Sequence, residues 1–196
     1  MYVDWAVELG ADDPVLDFPW ASQDGLRYYD LKSDPTLIDD LPEAQSSGEL
    51  RKFLLRVNAA GFPLQTAKCD HWFTREISEE EEIFGATAKY GSYVDLLFVD
   101  SSKQLSFAEH EDFAAKLCDL LKSAPEMPAS AELMVRRCFY AGSGDGYYFT
   151  LYVSGFGETD AQARQQWSIA LTLVQHGLVG LVMSLRSKPQ DGVDRE

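Results

Sequence analysis

Two capping boxes fix most of what this chain can fold into. Ser106 stands three residues before Glu109, and Thr159 three before Gln162. At that spacing the N-cap hydroxyl and the N3 side chain satisfy each other's free helix N–H groups. After the first box, Phe113, Leu117 and Leu121, with Ala114, Cys118 and Leu120, form a stripe at helical spacing to about Lys122, and Pro125 and Pro128 end it. After the second, Trp167, Ala170, Leu171 and Val174 repeat the pattern, and Gly177 behind His176 reads as a C-terminal stop. The intervening segments read as strands. Tyr93–Val99 precedes the first helix, and Leu178–Leu185 follows the second. Glu132–Tyr140 and Gly146–Ser154 lie between them, joined by Ala141-Gly142-Ser143-Gly144-Asp145, whose Gly and Asp supply the positive φ of a hairpin turn.

The resulting order, from about 92 to 185, is β-α-β-β-α-β, the split or ferredoxin-like pattern. It predicts an α+β fold with helices on one face of an antiparallel sheet. The first half extends this with a less regular N-terminal β/α segment. There Ser46 and Glu49 form a box before Leu50, Phe53, Leu54 and Val57. Gly61 stops that helix, and Phe62–Thr74 follows as a strand. Tyr2–Leu9 and Leu26–Leu31 are strand-like. Ser78 and Glu81, within a run of four glutamates, suit either a short helix with acids at its positive end or an exposed turn. No linker separates the halves, so the expectation is one domain over 1–186 with a polar tail over 187–196. Two packed lobes, 1–90 and 91–186, are the alternative.

Charge sets the function classes. The chain holds 17 Lys+Arg against 32 Asp+Glu, a formal net charge of −15. Nucleic-acid and anionic-membrane binding both need basic clusters, so neither is expected. The first 50 residues carry twelve acids against Arg27 and Lys32, or −10 of the −15. Trp5, Leu16, Phe18, Trp20, Leu26, Tyr28 and Tyr29 are interleaved with them, so the segment can bury surface. The N-terminus lacks the basic-then-apolar pattern of a signal peptide, and the longest apolar stretch, Ile169–Leu185, is interrupted by Gln175, His176, Gly177 and Gly180. Three widely spaced cysteines fit a reducing cytoplasm better than a disulfide framework.

The chemical motifs are sparse. Cys69 and His71 would share a face of one strand, but a zinc site needs further ligands, and His110 with Glu109 or Glu111 would have to fold close to supply them. No metal or cofactor is expected. Gly155-Phe156-Gly157 opens a helix but lacks the third glycine of a dinucleotide loop, and Glu158 and Asp160 would repel phosphate. There is no G-x-S-x-G, and His176 beside the expected helix end reads as structural.

The sheet's second face is the open question. In Tyr147–Ser154 it carries Tyr148, Thr150, Tyr152 and Ser154, and is covered either by the N-terminal segment with Trp5 and Trp20 or by a second copy in a homodimer. The leading expectation is a non-enzymatic, cytoplasmic, acidic interaction protein, an inhibitor or immunity-like partner of a basic protein. Its binding surface would be Asp12, Asp13, Asp17, Trp20, Asp24, Tyr28 and Tyr29. The alternative is a small-molecule-binding or enzymatic domain with a pocket between the lobes at Cys69, His71, Tyr148 and Tyr152.

Overall fold

Six strands join into one sheet, and three helices pack on one of its faces. The computed structural model describes residues 1–187, with side chains to Leu185; most of the expected polar tail lies outside the described residues. The elements are β1 (Tyr2–Glu8), β2 (Val15–Phe18), α1 (Pro42–Ser46), α2 (Gly48–Val57), β3 (Leu64–Thr74), β4 (Ala88–Phe98), α3 (Ser101–Gln104), α4 (Phe107–Leu121), β5 (Ala129–Tyr140), β6 (Gly144–Gly157) and α5 (Asp160–Ser187). Short 3₁₀ turns cover Pro35–Asp40 and Glu79–Phe84. The strand order is β1-β5-β6-β4-β3, with β2 continuing the β1 edge along β5. β1 and β2 run parallel to β5, and the other pairs are antiparallel. The chain is an α+β protein.

The local signals hold where the cause is local. Ser106 Oγ accepts from Glu109 N, and Thr159 and Gln162 cap each other in both directions. Glu81 accepts from the Ser78 N–H, so the glutamate run is a capped 3₁₀ turn. Gly142 and Gly144, with φ of 84° and 95°, close the β5–β6 hairpin.

Four expectations are corrected. Leu178–Leu185 is not a strand, because α5 runs unbroken to Ser187, and the fourth-strand place beside β4 is filled by β3. Gly177 does not stop the helix. A Cβ there would lie 2.8 Å from Leu121 Cδ2, so its role is to let α4 approach α5. His176 is consequently an exposed mid-helix residue and not a helix-end residue. The cap of α2 is Ser47, whose Oγ accepts from Leu50 N, while Ser46 closes α1. Leu26–Leu31 forms no strand and contributes only an isolated bridge, Ala21 to Arg27; β2 was not expected. As one helix, Asp160–Leu185 is long and apolar enough, by length and composition alone, to cross a bilayer. Its inner face, with Ala163, Trp167, Ala170, Leu171, Val174 and Leu178, is buried in the protein core.

The core lies between sheet and helices. Leu133, Val135, Phe149, Leu151, Val94 and Leu96 face α4 and α5. Trp167 is fully buried and donates from Nε1 to Ser92 Oγ at 2.8 Å. His110 is a core residue between Phe98 and Phe149, and burial lowers its pKa. Trp5 pairs in register with Leu133 and packs on this same side. It therefore does not cover the second face; Trp20 does, with Leu16, Phe18, Leu97, Cys138, Tyr140 and Tyr148.

Candidate ligand cleft

The N-terminal segment reaches the edge of the sheet through a small turn and two anchors. Tyr28 N donates to Trp20 O and Ser22 N to Leu26 O, and Gly25 at φ 85° closes the tip. Trp20 Nε1 donates to Ala67 O at 2.9 Å. That carbonyl is free because the β3–β4 register shifts between Thr66 and Cys69, a bulge that leaves Ala67 and Lys68 out of the ladder. The second anchor is Lys32. Its ammonium donates to the carbonyls of Ala59, Phe62 and Leu64 at 3.1, 2.6 and 2.8 Å, and burial lowers its pKa. Asp30 closes the preceding turn by accepting from the Lys32 and Ser33 N–H groups.

Between this segment and β3 lies a cleft of about 310 Å³. Leu31, Leu54 and Thr66 floor it, and Trp20 and Tyr29 present ring surface. Two cations line it. Lys68 Nζ sits 5.0 Å from the Trp20 ring centroid, and Arg27 Cζ 5.8 Å from that of Tyr29. Neither has a carboxylate within salt-bridge range among the described residues. By contrast eight other cations do, from Arg51–Asp39 at 2.7 Å to Arg164–Glu49 at 3.5 Å. Three carboxylates also line the cleft: Asp40, Glu43 and Asp70. Asp70 already accepts from His71 N at 2.7 Å.

Cys69 lines this cleft, and burial, then Glu43, Asp70 and Asp95, push its thiol well above the ordinary range. A thiol held protonated is a poor nucleophile. The other three residues expected beside it stand elsewhere. His71 is held between Ser46 Oγ at 2.8 Å and Tyr90 OH at 2.7 Å, stacked on the Tyr90 ring. Tyr148 is buried in the second-face cluster, where burial pushes it up to about 12. Tyr152 accepts from Arg136 Nη1 at 3.1 Å and lines a separate, polar cleft of about 580 Å³ beside the Glu79–Phe84 turn.

The acidic-surface residues divide in two. Asp12, Asp17 and Asp24 are exposed and have no salt bridge or hydrogen bond among the described residues. Asp13 turns back to accept from Gly10 N at 2.5 Å. The aromatic members point inward: Tyr28 packs edge-on to Phe18 at 4.8 Å and donates to Asp30, and Tyr29 packs on the core.

Sequence reasoning missed Arg27 and Lys68, and also a buried network on the second face. There the Thr150 hydroxyl donates to Asp95 Oδ1 at 2.7 Å, and Arg136 donates to Thr150 Oγ1 at 3.0 Å and to Glu8 at 2.7 Å. Asp95 is 5% exposed, and burial pushes its carboxyl up to about 6 against the pull of Thr150, Lys68 and Arg136. One charged residue inside the apolar run Tyr93–Val99 was the available signal. No protein family, no curated protein and no solved structure matches this chain.

Proposed function

We propose that the protein binds a small organic anion with a flat apolar body, without catalysing a reaction on it, in the cleft bounded by Trp20, Tyr29 and Lys68. The carrying observation is that, in a chain of net charge −15, two cations without carboxylate partners line one apolar cleft and lie over its aromatic rings. A carboxylate- or sulfonate-type head takes charge-assisted hydrogen bonds from Arg27 and Lys68. The apolar body sits on Trp20, Tyr29 and Leu54, the usual division of labour in a ligand pocket. Two cations against three carboxylates favour a single negative charge over a polyphosphate. The high pKa of the Cys69 thiol supports binding rather than covalent chemistry.

The test is a fluorescence titration with anilinonaphthalene sulfonate, an aromatic monoanion. The expected result is saturable binding to the folded protein, weakened at least about tenfold in the Arg27→Glu/Lys68→Glu variant. Each charge-assisted hydrogen bond is worth about 1.5–3 kcal/mol. Neither side chain has an ion-pair partner to lose, so folding stability should fall by no more than about 1 kcal/mol per position. Equal affinity of the folded double variant would overturn the proposal.

A second reading keeps the expected basic protein partner. It is favoured by Asp12, Asp17 and Asp24, which are exposed and unpaired on a segment anchored by Trp20 and Lys32. Reversing all three to Lys should leave the unfolding temperature unchanged. Association with a basic protein should then slow about tenfold or more at low ionic strength. Unchanged association kinetics would remove this reading.

A further inference from the structure

The outer side of α5 is built unlike the rest of the surface. From Gln165 to Leu185 the chain has no Asp, Glu, Lys or Arg over 21 residues; at its overall 25% charged, about five would stand there. Core packing accounts for one face only. On the other side Ile169 and Met183 are 43% and 64% exposed, Thr172, His176 and Gly180 are exposed, and Leu173 and Val179 are half-buried. These positions recur in steps of three and four, the spacing of a helix–helix seam. Leu120 of α4, 43% exposed, flanks the seam at Gly180, where an added Cβ would meet nothing closer than its Cδ2 at 3.8 Å. A helix apolar on all sides is one that is covered on all sides.

We propose that two copies of this chain pair antiparallel through the outer face of α5, centred on His176. The seam is self-complementary about that residue. In a two-fold arrangement Ile169 meets the partner's Met183, Leu173 the partner's Val179, and Thr172 the partner's Gly180, where the missing side chain lets the backbones approach. Charge selects a second copy as the occupant. Two chains of −15 repel over most of their surface, and this uncharged stretch lets them touch without opposing like charges. The contact is small. A helix stretch of 21 residues is about 31 Å long and about 10 Å wide. It therefore covers roughly 300 Å² per copy, below the roughly 800 Å² of a standard interface. The dimer is accordingly weak and concentration-dependent. It also lies on the helix side of the sheet, whereas the homodimer anticipated from sequence used the second face, part of which Leu16, Phe18 and Trp20 already cover.

Sedimentation equilibrium over roughly two decades of concentration around the micromolar range tests this. The expected mass rises from 21.9 kDa toward twice that value. Met183→Glu, at a position already 64% exposed, should leave the fold intact by circular dichroism and abolish the rise. Ile169→Lys combined with Met183→Glu should restore it, because only the antiparallel pairing sets that Lys against the partner's Glu. A wild-type chain that stays at 21.9 kDa, or a Met183→Glu chain that still dimerises, overturns the proposal. So does a monomeric wild type that floats with neutral phosphatidylcholine vesicles when Met183→Glu does not, since the face would then be a membrane contact.

Discussion

Gly155→Ala is expected to leave the chain unable to reach its native fold, a loss of about 4 kcal/mol or more against the 5–15 kcal/mol that holds a typical domain. A Cβ on Gly155 would lie 2.7 Å from Trp167 Cα and closer still to Trp167 N and Ala163 O. These are backbone atoms, so no rotamer change relieves the clash, and α5 would have to lift off β6. That lift exposes Trp167, the largest fully buried side chain, and breaks its bond to Ser92. Gly157 repeats the arrangement against Gln162 and Ala163. The two glycines that resemble a phosphate loop are thus there to seat a helix on a strand. Gly48→Ala serves as the control. An added Cβ there meets nothing within 4 Å, and the position opens α2, so the unfolding temperature should stay or rise slightly. A Gly155→Ala chain with wild-type unfolding temperature would show that α5 does not sit on β6 as described.

The second large effect is a pH dependence centred on Asp95. Its carboxyl is pushed from 3.8 up to about 6, chiefly by burial. The folded state therefore holds this proton more tightly than the unfolded chain does. The group's contribution to stability is complete below about pH 4. It is lost as pH rises from about 4 to about 6, and does not change further above that. A rise of about two pH units corresponds to about 3 kcal/mol. Asp95→Asn keeps an oxygen to accept from Thr150 and never ionises, so its stability lacks this loss. Denaturant unfolding of both chains from pH 4 to 8 should show wild type losing about 3 kcal/mol relative to Asp95→Asn across the window. The comparison cancels the opposite trend of Asp30, Asp34, Asp100 and Glu49, whose pKa values are lowered. Parallel profiles would mean that Asp95 is not buried as described.

How far the sequence reveals this fold depends on the range of the interaction. The caps at Ser106, Ser78 and Thr159 are three-residue relationships and were legible. So were the β5–β6 hairpin and the face alternation of β6, both set by neighbours in sequence. Gly177 was misread because it is silent about partners: the same residue ends one helix and admits a second helix to another. The Val- and Leu-rich run after it has strand propensity, which packing against α4 and the sheet overrides. Strand β2 has four residues, and its pairing with Arg137–Tyr140 lies more than a hundred residues away.

The cleft was the least legible part. Cys69 was singled out and lines it. Arg27 and Lys68, however, are 41 residues apart, and what distinguishes them is the absence of an ion-pair partner, which only the folded arrangement reveals. The aromatics of the acidic segment were read as half of a recognition surface. Trp20 and Tyr29 instead present rings to the cleft, while Asp12, Asp17 and Asp24 stay in solvent. The charge of the first fifty residues and their aromatic content thus belong to opposite sides of the same segment.

The most direct measurement follows the four indole N–H signals of Trp5, Trp20, Trp72 and Trp167 by ¹⁵N-edited NMR while anilinonaphthalene sulfonate is added. Trp20 lines the apolar cleft, Trp72 lines the polar one, and Trp5 and Trp167 pack against or within the core. The Trp20 signal should move and saturate while the other three hold still. Saturation with Trp20 unmoved, or with Trp72 moving in its place, would contradict the cleft as the ligand site.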